Sequence, residues 1–260
     1  MKKIITAILS ITGILNTALY AAVSGPYTVD AYMLHLYHFD GNANDAVATN
    51  PINLTLAYGA TVTTTSYTGF GTMLNTYEGT SGTGNMPIAY ADEKAVNNFF
   101  GTDGAFTFEA IVKPAVAIGA IPNNMQIISG DDDSGQTRGW LFRVTTTGRL
   151  EFTKLTGTQE TFSAALPTTG EQAWGLEGFH VAVTYNGLEN TPNNLKFYWT
   201  RLNSSVSQAV LLMSFQMVTD LSISPAVDFA VGNGGFPGDR NTLPENRRPS
   251  AVVDAEILSG

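Results

Sequence analysis

Between Phe179 and Trp199 the chain carries two short apolar-rich runs joined by a turn. Phe179-His180-Val181-Ala182-Val183-Thr184-Tyr185 leads into Asn186-Gly187, and Leu195-Lys196-Phe197-Tyr198-Trp199 follows. Large apolar residues recur at every second position. That spacing is the period of a β-strand, whose side chains point alternately to opposite faces. The pair predicts an antiparallel hairpin with one buried face and one wetter face.

The same pattern recurs along the chain. Further strands are predicted at Tyr32–Phe39, Thr61–Thr65, Met73–Tyr77, Phe106–Lys113, Met125–Ser129 and Gly139–Thr145, then at Leu150–Leu155, Ala209–Met217, Phe229–Val231 and Ala251–Leu258. Gly, Asn, Asp, Thr and Pro separate them, as in turns. One window, Tyr90–Phe100, suits a helical turn or two. Strands without intervening helices pair antiparallel, and their mixture of half-apolar and fully apolar runs suits two stacked sheets.

The N-terminus is set apart from this fold. Lys2 and Lys3 precede an apolar run from Ile4 to about Val23, which small residues close at Ala21, Ala22, Ser24 and Gly25. That is the layout of a secretory signal peptide, assigned to residues 1–24; the alternative is an uncleaved anchor. Its removal leaves about 236 residues, an ordinary length for one β-sandwich or barrel. The folded unit is assigned to 30–260, as one domain or a piece of a longer surface protein. No transmembrane segment is expected after cleavage.

Composition narrows the partners. The formal net charge is −9, and the 13 basic residues are scattered. Nucleic acids and anionic membranes require clustered Lys and Arg, so neither is an expected partner. The chain has no Cys. That excludes thiol chemistry, Cys-ligated zinc and a lipoprotein anchor, and leaves an exported chain to rely on its core or on metal ions. A short lysine-type signal without disulfides points to a bacterial source.

Several segments together resemble one family. Leu36-Tyr37-His38-Phe39-Asp40-Gly41-Asn42-Ala43-Asn44-Asp45 is similar to its opening strand and loop. Phe106–Ala110, Gly139–Arg143, Gly148–Phe152 and Gly178–Ala182 are similar to successive later strands, with Phe179 where the family has Trp. In order and spacing these resemble the laminin G-like branch of the concanavalin A-like lectin/glucanase superfamily. The closing strand departs from the pattern: Val253-Asp254-Ala255-Glu256-Ile257 lacks the usual adjacent acids. The resemblance implies an all-β fold, a two-sheet antiparallel jelly-roll β-sandwich. It also implies a secreted or cell-surface recognition module for glycan or extracellular protein, with a structural Ca²⁺.

The metal ligands implied by the resemblance are Asp40, Asn42 and Asp45, with Asp254 on the closing strand. Ca²⁺ takes six to eight oxygens, and this loop is rich in them; an Asx-rich turn would look the same. Asp131 and Asp133 lie in a second acidic stretch, Asp131-Asp132-Asp133-Ser134-Gly135, readable as a second cation site or a hairpin turn. Trp174, between Ala173 and Gly175, is the aromatic expected in an exposed loop, whereas Trp140 and Trp199 are expected in the core. Asp239 and Arg240, in the long Gly232–Pro249 segment, complete the candidate ligand-binding residues.

No enzyme is expected. The superfamily's hydrolases carry Glu-x-Asp-x-x-Glu on one strand, and only Asp254-x-Glu256 comes near it. A Gly-x-Ser-x-Gly elbow is also missing. The alternatives are a divergent glycan hydrolase of the same fold, or a purely structural surface or matrix protein.

Overall fold

In the computed structural model the described residues are 25, 27–57, 59–67, 70–76, 88–91, 104–121, 124–131, 139–202, 208–221, 227–232 and 251–258. The strands, in chain order, are β1 (Met33–Tyr37), β2 (Thr55–Ala57), β3 (Thr61–Tyr67), β4 (Gly71–Asn75), β5 (Ile88–Ala91) and β6 (Phe106–Pro114). Then come β7 (Met125–Gly130), β8 (Trp140–Val144), β9 (Arg149–Lys154), β10 (Glu160–Ala165) and β11 (Phe179–Tyr185). The last four are β12 (Leu195–Arg201), β13 (Leu211–Phe215), β14 (Phe229–Val231) and β15 (Ala251–Leu258). A single 3-10 turn, Ile118–Ala120, is the one helical element among the described residues.

Two antiparallel sheets stack face to face. The first has the order β13-β12-β11-β6-β15-β4-β3, with β1 also paired to β15. The second has the order β10-β9-β8-β7-β14-β5-β2. The molecule is a jelly-roll β-sandwich, as the strand pattern predicts. β15 pairs with β6 in the middle of the first sheet.

Aromatic rings from both sheets fill the interior. Phe108 of β6 stacks on Trp140 of β8 with ring centroids 4.1 Å apart and planes within 8°. Phe106 lies against Phe152, and Phe142 against Phe197, across the same gap. Trp140 and Trp199 are buried to 0 % and 1 % exposure, so both belong to the core. An aromatic side chain removes about 150–250 Å² from contact with water, and rings of this size hold the sheets together without disulfides.

Three strands escape the sequence pattern. β2 is three residues long and β10 reads Glu160-Thr161-Phe162-Ser163-Ala164-Ala165, with little apolar alternation. β5 includes Tyr90 and Ala91, where a helical turn is expected; the rest of that window, 92–100, lies outside the described residues. The hairpin of β11 and β12 also differs in one respect. The outer face of β11 is not wet: His180 and Ala182 are buried. A second apolar layer of Phe70, Met73 and Ile111, packed by Tyr27 and Leu202, covers part of that face, and Ile111 lies opposite His180 in register.

Candidate functional site

The Asp40–Asp45 loop forms where β1 ends. Phe39 adopts a left-handed backbone (φ 53°) although it is not glycine, and Gly41 follows at φ 82°. Such a Phe is costly unless its surroundings hold it; here the ring is buried in the core. The chain therefore reverses at Asp40 and leaves that residue exposed. Oδ1 of Asp40 accepts the backbone N–H (3.1 Å) and hydroxyl (3.2 Å) of Thr72. Gly71 beside it has φ +73°, and a β-carbon there would strike Oδ1.

Asp45 departs from its expected part. Its side chain is fully buried and turned inward. Oδ1 accepts the N–H of Leu36 (3.1 Å) and Val47 (3.0 Å); Oδ2 accepts the N–H of Ile52 (3.0 Å) and lies 2.6 Å from Nδ1 of His35. A carboxylate so engaged cannot also ligate a cation. Asn42 accepts the N–H of Asn44 in an Asx turn (2.8 Å). Tyr37 completes the interior side of the loop by donating its hydroxyl to the carbonyl of Ile52. Burial first, and the Asp45 charge second, push the Tyr37 phenol well above its usual pKa.

Asp254 lies on β15 one residue before Ala255, the partner of Tyr37. The backbone thus brings it beside the strand that leads into Asp40. Among the described residues, no group of three or more His, Asp or Glu converges on a point that could hold a metal ion.

In the second acidic stretch, Asp131 is 2 % exposed and accepts the N–H of Gly139 (3.4 Å). Asp133 lies outside the described residues, as do Asp239 and Arg240. The pairing of Phe229 with Gly130 and Ala230 with Ser129 carries Asp228 to the position beside Asp131. Asp228 is wholly buried. Its one sequence signal is an acid set inside the apolar run Ala226-Val227-Asp228-Phe229.

Among the described residues, polar and aromatic groups gather around Trp174. The loop from β10 to β11 folds back on itself: the N–H of Ala173 reaches the carbonyl of Gly170, and that of Trp174 reaches Pro167. Trp174 is half-buried rather than freely exposed. One face stacks on Trp199 (centroids 5.6 Å, planes within 5°), and Trp199 stacks on Phe179 (4.4 Å). Its indole N–H donates to the carbonyl of Val116 (3.0 Å), so the ring is held rigidly.

Arg201, at the end of β12, draws the polar groups together. Its backbone N–H donates to Oε1 of Gln172 (2.6 Å), and its guanidinium pairs with Oε1 of Glu177. The carbonyl of Gln172 accepts the indole N–H of Trp199 (3.0 Å). This bonding fixes which way the Gln172 amide points. Its Nε2 and the Oε2 of Glu177 are then buried without a hydrogen-bond partner. Buried polar groups are nearly always paired, so such orphans call for an explanation. Gln172, Glu177 and Arg201 are not signalled by any motif; only their nearness to Trp174 in the chain, for the first two, hints at them.

A separate network links the two sheets elsewhere. Lys154 of β9 is 1 % exposed and lies 3.1 Å from Oε1 of Glu160. Its ammonium also donates to the carbonyl and hydroxyl of Thr219. Glu160 accepts the N–H of Val218 (2.8 Å) and Thr219 (3.2 Å). Burial alone would raise the Glu160 pKa, but these N–H groups, Lys154 and the Thr219 hydroxyl together lower it. The Tyr185 hydroxyl donates to Asp220, and burial with that acid pushes the phenol up.

No family model matches the chain, and no curated protein matches its sequence. Solved structures do match. The binding domain of botulinum neurotoxin serotype D superposes with a TM-score of 0.54 at 13% identity, over 88% of this chain and 47% of that one. The serotype D/C binding domain gives 0.56 at 13%, over 87% and 48%. A type C neurotoxin structure, whose cell entry depends on two ganglioside molecules, gives 0.55 at 14%, over 87% and 47%. The shared architecture is a jelly-roll β-sandwich. The chain spans about half the length of the solved chains it matches, and at this identity the likeness concerns the fold. The laminin G-like branch in particular finds no support beyond that common architecture.

Proposed function

We propose that the protein is a secreted or cell-surface recognition module that binds a glycan at the Trp174 rim without catalysis. The observation that carries this reading is the pairing of a fixed indole with the orphaned Gln172 Nε2 and Glu177 Oε2. A ring face suits the apolar face of a sugar. From the same loop Gln172 Nε2 and Glu177 Oε2 bring a donor and an acceptor without partners, the complement of sugar hydroxyls, and a site built to hydrogen-bond a hydroxyl discriminates strongly against ligands without one. The fold supports the same reading, because matched domains include one in a complex with SialylT. The signal-like N-terminus supports export; among the described residues no helix is long and apolar enough to cross a membrane.

A structural Ca²⁺ belongs to the same proposal, on the outer side of the first loop. Asp40 and Asp254 would supply its carboxylates and Asn42 a further oxygen; Asp45 is not among them. The deciding experiment is a glycan array probed with the wild-type chain and the Trp174→Ala variant, followed by calorimetry on any hit. Binding that the variant loses supports the proposal. No binding by the wild type, or equal binding by both, overturns it.

A further inference from the structure

Glu177 is seated closely on the Trp174 rim. Its Oε1 pairs with the guanidinium of Arg201, and its Oε2 is buried without a hydrogen-bond partner. A β-carbon on Gly175 would overlap Oε2, so the carboxylate packs against the backbone of the residue that follows Trp174. Glycine at 175 leaves the space, and Arg201 holds the acid in it. The ion pair is not sealed in: the Arg201 side chain is 30% exposed and that of Glu177 37%. The cation that Arg201 brings to the rim is therefore already neutralised. Lys113, the basic residue of β6, follows Val112, the register partner of Phe179. Successive side chains of a strand alternate, so Lys113 faces away from the stacked rings of Phe179 and Trp174.

Resting on the glycan reading above, we propose that Glu177 sets the ligand class of this rim: uncharged sugars are accepted, and acidic sugars, sialic or uronic, are refused. An anionic sugar would lose water against Trp174 with no free cation to meet it. Removing water from an unpaired charge is far costlier than removing it from a hydroxyl. The sugar's carboxylate would also lie near a second carboxylate, and like charges brought together at an interface oppose binding. A neutral sugar meets neither obstacle, and its hydroxyls can donate to the Glu177 carboxylate.

The test is an array that carries neutral glycans beside their sialylated and uronic counterparts, SialylT included. It is probed with the wild-type chain, Glu177→Gln and Gly175→Ala. Wild-type hits are expected among the neutral glycans, with acidic counterparts at least about tenfold weaker. Glu177→Gln leaves the Arg201 charge uncompensated, so the ratio of acidic to neutral binding should rise by about tenfold or more. Gly175→Ala keeps every charge but displaces the carboxylate, and should move the ratio the same way by less. Far-ultraviolet spectra check that both variants fold, and the wild-type ratio needs neither of them. Wild-type binding of acidic glycans as strong as that of neutral ones overturns the proposal and leaves the glycan reading standing. A ratio that neither folded variant moves does the same. No wild-type binding of either class overturns the glycan reading, and this proposal with it.

Discussion

Asp45 Oδ2 lies 2.6 Å from Nδ1 of His35, and both side chains are closed off from solvent. The same carboxylate takes three backbone N–H groups from Leu36, Val47 and Ile52. One side chain thereby pins the 42–54 segment along β1. In Asp45→Ala, those three donors and the imidazole lose their acceptor together. Removing one partner of a buried pair costs about 3–5 kcal/mol. Urea unfolding should show a loss of that size, and a loss under about 1 kcal/mol, the scale of an ordinary surface substitution, would contradict the assignment.

The Trp174 rim gives a graded prediction for any glycan found. Trp174→Ala should weaken binding by about tenfold or more, equivalent to about 1.4 kcal/mol. Trp174→Phe keeps a ring face and should lose less. Gln172→Ala removes the orphaned donor and should weaken binding without abolishing it. Titration calorimetry ranks the three variants; equal affinities throughout would place the ligand elsewhere.

Stability should fall at both ends of the pH range. Glu160 has a lowered pKa in the fold, so its contribution is present above the unfolded carboxylate pKa and is lost as pH drops through the folded value. Tyr37 and Tyr185 have raised values, so their contributions are complete below the unfolded phenol pKa of about 10 and fade as pH climbs past it. Thermal melts across pH should show both losses. Glu160→Gln should flatten the acid limb, and Tyr185→Phe the alkaline one.

Calcium occupancy can be read from melting temperature. At a Kd near 10⁻⁴ M, millimolar Ca²⁺ would stabilise the chain by about 1.4 kcal/mol, a shift of roughly 3–6 °C for a chain of this size. Chelation should reverse the shift in the wild type and have no effect in Asp40→Ala. A wild type indifferent to both Ca²⁺ and chelator would remove the metal from the proposal.

The pairing of β11 with β12 was legible because alternation is local; the burial of His180 and Ala182 was not, because it depends on what packs over that face. β2 and β10 were not, since Thr55–Ala57 and Glu160–Ala165 are strands mainly because a partner strand lies alongside. Tyr90 and Ala91 open a window that suits a helical turn, yet pairing with β2 and β14 makes them strand. The chain reversal at Asp40 was legible from the Asp-Gly pair. The inward orientation of Asp45 was not, because it depends on His35 and on N–H groups spread over 17 positions of chain from Leu36 to Ile52.

Periodicity and turn residues by themselves determined an all-β chain with an aromatic core. Tertiary structure decided which of those residues meet. Trp174 stacks on Trp199 and Arg201 gathers Gln172 and Glu177 only because β12 runs beneath the 167–178 loop. Patterns of period two are carried by neighbours in sequence, whereas a binding rim is made from residues that only folding brings together.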